Sequence, residues 1–98
     1  MKDNWKFYVQ IALKSGQFSY GSQLIPSIQN KKAHLVLISE DCGRNRKKKL
    51  IDKCTFYDIP YRQVPDVELQ SLSHIRFNSV AVLDKGLAQA ILNEGKEW

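Results

Sequence analysis

The sequence predicts an α/β fold: a three-layer α/β/α sandwich around a small mixed, largely parallel sheet. Three observations carry that prediction. Apolar residues recur alternately at helical and at strand spacing along the chain. Helix-start and helix-stop residues separate these periods. The uninterrupted apolar run Leu35-Val36-Leu37-Ile38 marks a strand covered on both faces, as in the centre of an α/β sheet.

The elements follow in order. Trp5, Tyr8, Val9, Ala12 and Leu13 lie at helical spacing, with Asp3 or Asn4 as cap and Gly16 after the last turn. Gln17 to Tyr20 reads as a short strand or an extended link. Gly21 and Ser22 open a second, short helix with Leu24, Ile25 and Ile28 on one face. Pro26 fits early in it, where a missing N–H costs nothing. Ala33 to Ser39 is the buried strand, followed by the loop Glu40-Asp41-Cys42-Gly43-Arg44. Asn45 reads as the cap of a third helix with Leu50, Ile51, Cys54 and Tyr57 as its stripe, stopped at Asp58-Ile59-Pro60. Tyr61 to Val64 is a strand, Asp66 caps a short helix, and Ser73 to Asn78 is loop. Ser79 to Leu83 is the last strand, and Asp84 caps a final helix closed by Gly95. Strands alternating with helices imply parallel pairing with right-handed crossovers.

Composition narrows the function. At 98 residues the chain holds one domain, spanning 1–98. Its hydrophobic fraction of 43% is too high for a disordered chain. The longest uncharged apolar run falls far short of a membrane span, and the N-terminus lacks the layout of a signal peptide, so a cytoplasmic protein is expected. Cys42 and Cys54, twelve residues apart, form neither a disulfide framework nor a zinc motif with His34 and His74, and are expected to be reduced thiols. No Gly-x-Gly-x-x-Gly, P-loop or nucleophile elbow occurs. Glu40 and Asp41 sit past a strand end, where α/β sheets place ligands, but alone they make neither an acid–base pair nor a metal site. No catalytic residue, metal or cofactor is expected.

With 15 Lys and Arg against 10 Asp and Glu, the formal charge is +5, which points to a polyanionic partner if the charge is focused. It is focused in Arg44-Asn45-Arg46-Lys47-Lys48-Lys49. Cations in a first helical turn oppose the helix dipole by about 0.3–1 kcal/mol each. A phosphate partner compensates, meeting both the side chains and the free N–H groups; the alternative is a solvated basic face. Gly21-Ser22-Gln23 opens a helix beside Tyr20: glycine permits close backbone approach, Ser and Gln offer neutral hydrogen-bonding groups, and the bland reading is a cap. In the loop Ser73 to Asn78, Ile75 and Phe77 either pack downward or meet stacked bases, with Arg76 on a phosphate.

The strand and acidic pair Leu35 to Asp41 resemble the signature of the kink-turn RNA-binding ribosomal proteins, the L-seven-Ae superfamily. Asn45, Lys47 to Lys49, Asp52-Lys53-Cys54 and Tyr57 resemble the matching helix of its small bacterial YlxQ-type members. Ile59-Pro60-Tyr61, the stretch Val80 to Ala88, and Ala12 to Gly16 with Gly21 extend the resemblance over roughly residues 5–93. It implies a three-layer α/β/α domain that binds structured RNA without catalysis. The implied surface is the start of the second helix, the loop after the acidic pair and the loop before the last strand. Carried onto this sequence, that gives Gly21, Ser22, Gln23, Arg44, Arg46, Lys47, Lys48, His74, Ile75 and Arg76. Two departures fall there. Gln23 and Leu24 stand where the family has Asn-Glu, and Leu69-Gln70 with His74 replace a Leu-Gly-x-x-x-Gly pattern. A Leu cannot pair a base edge, so these departures predict weakened discrimination of a kink-turn from plain duplex. The expected partner is structured, kink-turn-like RNA, ribosomal RNA included, bound by a monomer without a membrane or small-molecule substrate. The rival expectation is a protein-interaction module that keeps the fold without specific RNA recognition.

Overall fold

The computed structural model describes residues 4–94. Helix α1 (Asn4–Lys14) leads into strand β1 (Phe18–Tyr20), a single 3-10 turn (Gly21–Gln23) and helix α2 (Leu24–Gln29). Then follow β2 (Leu35–Ser39), α3 (Arg44–Tyr57), β3 (Tyr61–Val64), α4 (Asp66–Gln70), β4 (Ser79–Val82) and α5 (Lys85–Glu94). The stretch from Gln17 to Tyr20 thus contains a strand rather than an extended link. Asp3 and Gly95, expected to cap α1 and close α5, lie outside the described residues.

The strands form one sheet in the order β1-β4-β2-β3. Alternation along each strand sends side chains to two opposite cores. Leu35, Leu37, Val80 and Val82 pack with Trp5, Val9 and Ala12 of α1, Leu69 of α4, and Ala88 and Ile91 of α5. Val36, Ile38 and Ala81 face the other way, onto Leu24 and Ile28 of α2 and Leu50 and Cys54 of α3. Helices α1, α4 and α5 cover one face and α2 and α3 the other, which makes the expected three-layer sandwich. All five residues of β2 are buried, Leu35 to Ile38 as continuous apolarity requires and Ser39 with its hydroxyl hydrogen-bonded to Asp66.

The sheet is mixed, but its pairings are not largely parallel. Among the described residues only β2 and β3 pair in parallel; β4 pairs antiparallel with both β1 and β2. The reason is connection length. Helix α3, with 14 residues, is long enough to return the chain across the sheet. Helix α4 has only five, about 7.5 Å of rise, too little to span a four-residue strand. The chain therefore stays at the end where β3 finishes, and β4 starts there, running back between β1 and β2.

Caps explain the boundaries. Gly16 ends α1 at a φ of +76°, the left-handed conformation that suits glycine after a last turn. Asp84 accepts the N–H of Leu87 at 2.9 Å, the expected N-cap of α5. Two expected caps are displaced. Helix α3 starts after Gly43, with Asn45 already inside it, and α4 starts after Pro65, with Asp66 as its first residue. At the far end of α3, Asp58 adopts φ +61° and its N–H satisfies the carbonyls of Cys54 and Thr55.

Candidate nucleic-acid interface

Register places the expected segments together. Tyr20 pairs with Val80, and Ile38 with Ser79. The end of β1, the end of β2 and the start of β4 therefore meet at one end of the sheet. Gly21 follows the first, Glu40 to Gly43 the second, and Asn78 precedes the third. The Ser39 N–H donates to the Asn78 carbonyl at 2.9 Å, closing this end.

The basic run reaches the same place along α3. Its first turn holds Arg44, Asn45, Arg46 and Lys47, not Arg46 to Lys48 as a cap at Asn45 implies. That turn carries no acidic residue and no side-chain cap. Two of its cations tie the end of the sheet together. The Arg46 guanidinium donates to the Gly21 carbonyl at 3.0 Å, joining α3 to the turn after β1. The Lys47 ammonium donates to the Glu40 carbonyl at 3.1 Å. Arg44 is exposed and has no hydrogen bond or ion pair among the described residues. Lys48, one turn further on the same side, makes an exposed pair with Asp52 at 3.4 Å.

Gly21 has a φ of +61°, and a Cβ built there meets nothing within 4 Å. Its glycine therefore serves backbone conformation rather than space. Ser22 and Gln23 are exposed beside it. Leu24 is not part of this edge: it is fully buried against α3 and β2. Its apolar side chain is turned into the core and is not placed to meet a base edge. The polar pair at this helix start is Ser22 and Gln23.

The loop before β4 divides between core and surface. His74 and Arg76 are exposed. Phe77 is buried, and Ile75 is half-buried, packed against the core beneath α1 and α5. Gln70 acts as a brace: its amide donates to the Phe77 carbonyl at 2.6 Å and to Asp66 at 3.1 Å. Its own carbonyl oxygen is buried without a partner among the described residues. Asp66 also accepts the Ser39 hydroxyl at 2.8 Å, and that hydroxyl accepts the Asp41 N–H at 3.0 Å. The Ser39 hydrogen bond, then that of Gln70 and the nearby Arg76 charge, hold the Asp66 carboxyl below its ordinary value. The chain from Asp41 through Ser39, Asp66 and Gln70 to Phe77 thus fixes two loops against each other.

Charge is partitioned across this end. Glu40, Asp41 and Asp66 line a concavity beside α4, with Arg76 at its edge. The cations of α3 lie on the other side, toward Gly21. An anionic ligand is steered to the α3 side. Tyr20 and Asn78, which the sequence places beside these segments without a role of their own, are both exposed here. Tyr20 stacks on Phe18 at 5.9 Å and tilts against Phe77 at 5.7 Å. An aromatic residue immediately before the Gly21 turn is the available signal. Cys42 and Cys54 are free and buried. Burial raises both thiols, Cys54 to about 11, while Arg46 and Lys47 partly offset the effect at Cys42. Among the described residues no group of three or more His, Cys, Asp or Glu side chains is placed to hold a metal, and no helix is long and apolar enough to cross a membrane.

These features define a small α/β/α sandwich protein with a polar surface at one end of its sheet, basic on the α3 side. The chain belongs to the ribosomal protein L7Ae/L30e/S12e/Gadd45 family, which matches residues 3–91. It is 36% identical over 72 residues to RNA-binding protein YlxQ of Bacillus subtilis (strain 168), covering 71% of this chain and 72% of that one. RNA-binding protein YlxQ of Enterococcus faecium is 28% identical over 83 residues, covering 83% and 81%. Among solved structures, a protein of unknown function from Bacillus halodurans superposes with a TM-score of 0.86 at 28% identity, covering 94% of this chain and 96% of that one.

Proposed function

We propose that this protein is a non-enzymatic RNA-binding protein that grips structured, kink-turn-like RNA at the β1, β2 and β4 end of its sheet. The observation that carries the reading is the start of α3: a helix end without a side-chain cap, with three cations and no acid in its first turn, tied by Arg46 to the glycine turn after β1. In a free protein that placement opposes the helix dipole; against phosphate, the N–H groups and side chains act together. In this reading Arg44, Arg46, Lys47 and Lys48 meet phosphates. Gly21 permits close approach, Ser22 and Gln23 meet base or sugar edges, and His74 and Arg76 close from the third loop, with Ile75 supporting them from beneath. The relatives named as RNA-binding proteins support the substrate class. The reading extends to a cytoplasmic monomer, with ribosomal RNA among its candidate ligands.

The test is a competition titration at near-physiological salt, pairing a kink-turn RNA with its mutated, unkinked version. With Leu24 in the core and Ser22-Gln23 at the edge, both bind. The kink-turn is preferred by less than about a hundredfold, because one or two hydrogen bonds that Asn-Glu would make are missing. Binding to neither RNA, even at low salt, contradicts the reading and favours a protein-interaction module on the same fold.

A further inference from the structure

The outer face of α3 sets an exposed aromatic ring among lysines. Phe56 is 78% exposed, the largest value among the exposed large hydrophobics of the described residues. Its ring meets the edge of Tyr57, at 4.9 Å between centroids and 78° between planes. Tyr57 is itself half-buried against the core, so it anchors Phe56 without covering it. Lys49 and Lys53 precede Phe56 by seven and three residues, and Lys48 and Asp52 complete an open groove with them. Three lysines against one aspartate make this groove cationic, and the Lys48–Asp52 pair is solvent-exposed.

The groove is continuous with the phosphate-binding end of the same helix. Arg44 and Phe56 are twelve residues apart, about 18 Å along the axis. A cationic track leading to an exposed aromatic ring is how proteins hold unpaired nucleic acid: the lysines follow the backbone and the ring stacks on a base. A second copy of this chain fits the face poorly, since lysine would oppose lysine. Resting on the RNA reading above, we propose that α3 carries a second RNA contact. An unpaired strand leaving the structured element runs along the helix, its phosphates on Lys48, Lys49 and Lys53 and one base stacked on Phe56.

The experiment uses a blunt-ended internal-loop RNA and two derivatives carrying an eight-nucleotide uridine overhang, one at the 5′ end and one at the 3′ end. Each is titrated with the wild-type chain, Phe56→Ala, Phe56→Leu and Lys53→Gln. One overhang is expected to raise wild-type affinity about tenfold, the worth of one stacked base. Both Phe56 variants lose that gain, Lys53→Gln lowers it, and all three bind the blunt RNA within twofold of wild type. A blunt RNA that binds while neither overhang adds anything overturns this inference and leaves the sheet-end reading standing. A gain that survives both Phe56 variants overturns it equally. Failure to bind any of the RNAs removes both readings. Self-association in sedimentation that Phe56→Ala abolishes assigns the face to a second copy and also overturns the proposal.

Discussion

Replacing Arg44 and Lys48 together by Gln isolates the electrostatic part of the proposed RNA interaction. Arg46 and Lys47 are poor choices because they also hold the Gly21 and Glu40 carbonyls. Arg44 is exposed in the first turn of α3, and Lys48 sits one turn above it, paired at the surface with Asp52. Each phosphate that is no longer neutralised lowers the slope of log affinity against log salt by about 0.7–0.9, so two lower it by about 1.4–1.8. Over a fourfold rise in salt, from about 50 to 200 mM, the wild-type advantage shrinks about seven- to twelvefold. Stability moves the other way. Removing Arg44 from the positive end of the helix dipole gains about 0.3–1 kcal/mol. Breaking the exposed i,i+4 pair costs about 0.3–0.5 kcal/mol. The variant is therefore as stable as wild type or slightly more so. Fluorescence-anisotropy titrations over a salt series, paired with thermal melts, read both quantities. An unchanged salt slope, or a variant that melts well below wild type, refutes the assignment of these cations to phosphate.

Three further outcomes are expected. Gly21→Ala forces a side chain into the left-handed region at φ +61° and costs about 1–2 kcal/mol, lowering the melting temperature by about 5–10 °C, whereas Gly21→Asn costs clearly less; equal melting of all three proteins contradicts the conformational role. Because the Asp66 carboxyl is held below its ordinary 3.8 in the folded chain, its charge stabilises the fold above the unfolded value and ceases to do so as pH falls through the depressed folded value. Asp66→Asn is then less stable than wild type near neutrality, with the gap closing in acid; stability curves that stay parallel between pH 6 and about 2 are inconsistent with this linkage. Cys54, pushed up to about 11, is barely ionised at pH 8 and buried besides, so iodoacetamide labels it at least about a hundredfold more slowly in the native chain than in urea; rapid native labelling of Cys54, located by peptide mass mapping, contradicts its placement.

What is legible in the sequence is local. The apolar run from Leu35 to Ile38 marks the buried central strand because both faces of β2 carry core side chains. Asp84 marks the start of α5 because its carboxylate and the N–H it accepts lie three residues apart. The helix-spaced pair Leu24 and Ile28 carries a core signal that comparison with the family's Asn-Glu obscures. What stays hidden depends on long-range geometry. That β4 inserts between β1 and β2 follows from how little of the sheet α4 can span, which no residue spacing displays. The start of α3 is misplaced from sequence because Gly43 caps it by backbone alone, while Asn45, a better cap by type, lies within the helix. Gln70 looks like a missing glycine because its partner, the Phe77 carbonyl, is reached only after the chain turns. The convergence of Gly21, Arg46 and Glu40 requires the sheet register, although each segment is recognisable alone.

The central claim is that RNA lies across the sheet end formed by the turn after β1, the start of α3 and the loop before β4. Ultraviolet cross-linking of the intact protein to 4-thiouridine-substituted RNA, followed by mass spectrometry of the adducted peptides, tests it most directly. The account predicts adducts in peptides covering residues 20–23, 44–48 and 74–78, all competed away by unlabelled structured RNA. Adducts confined to the α1 and α5 face, or none at any protein concentration that saturates binding, would contradict it.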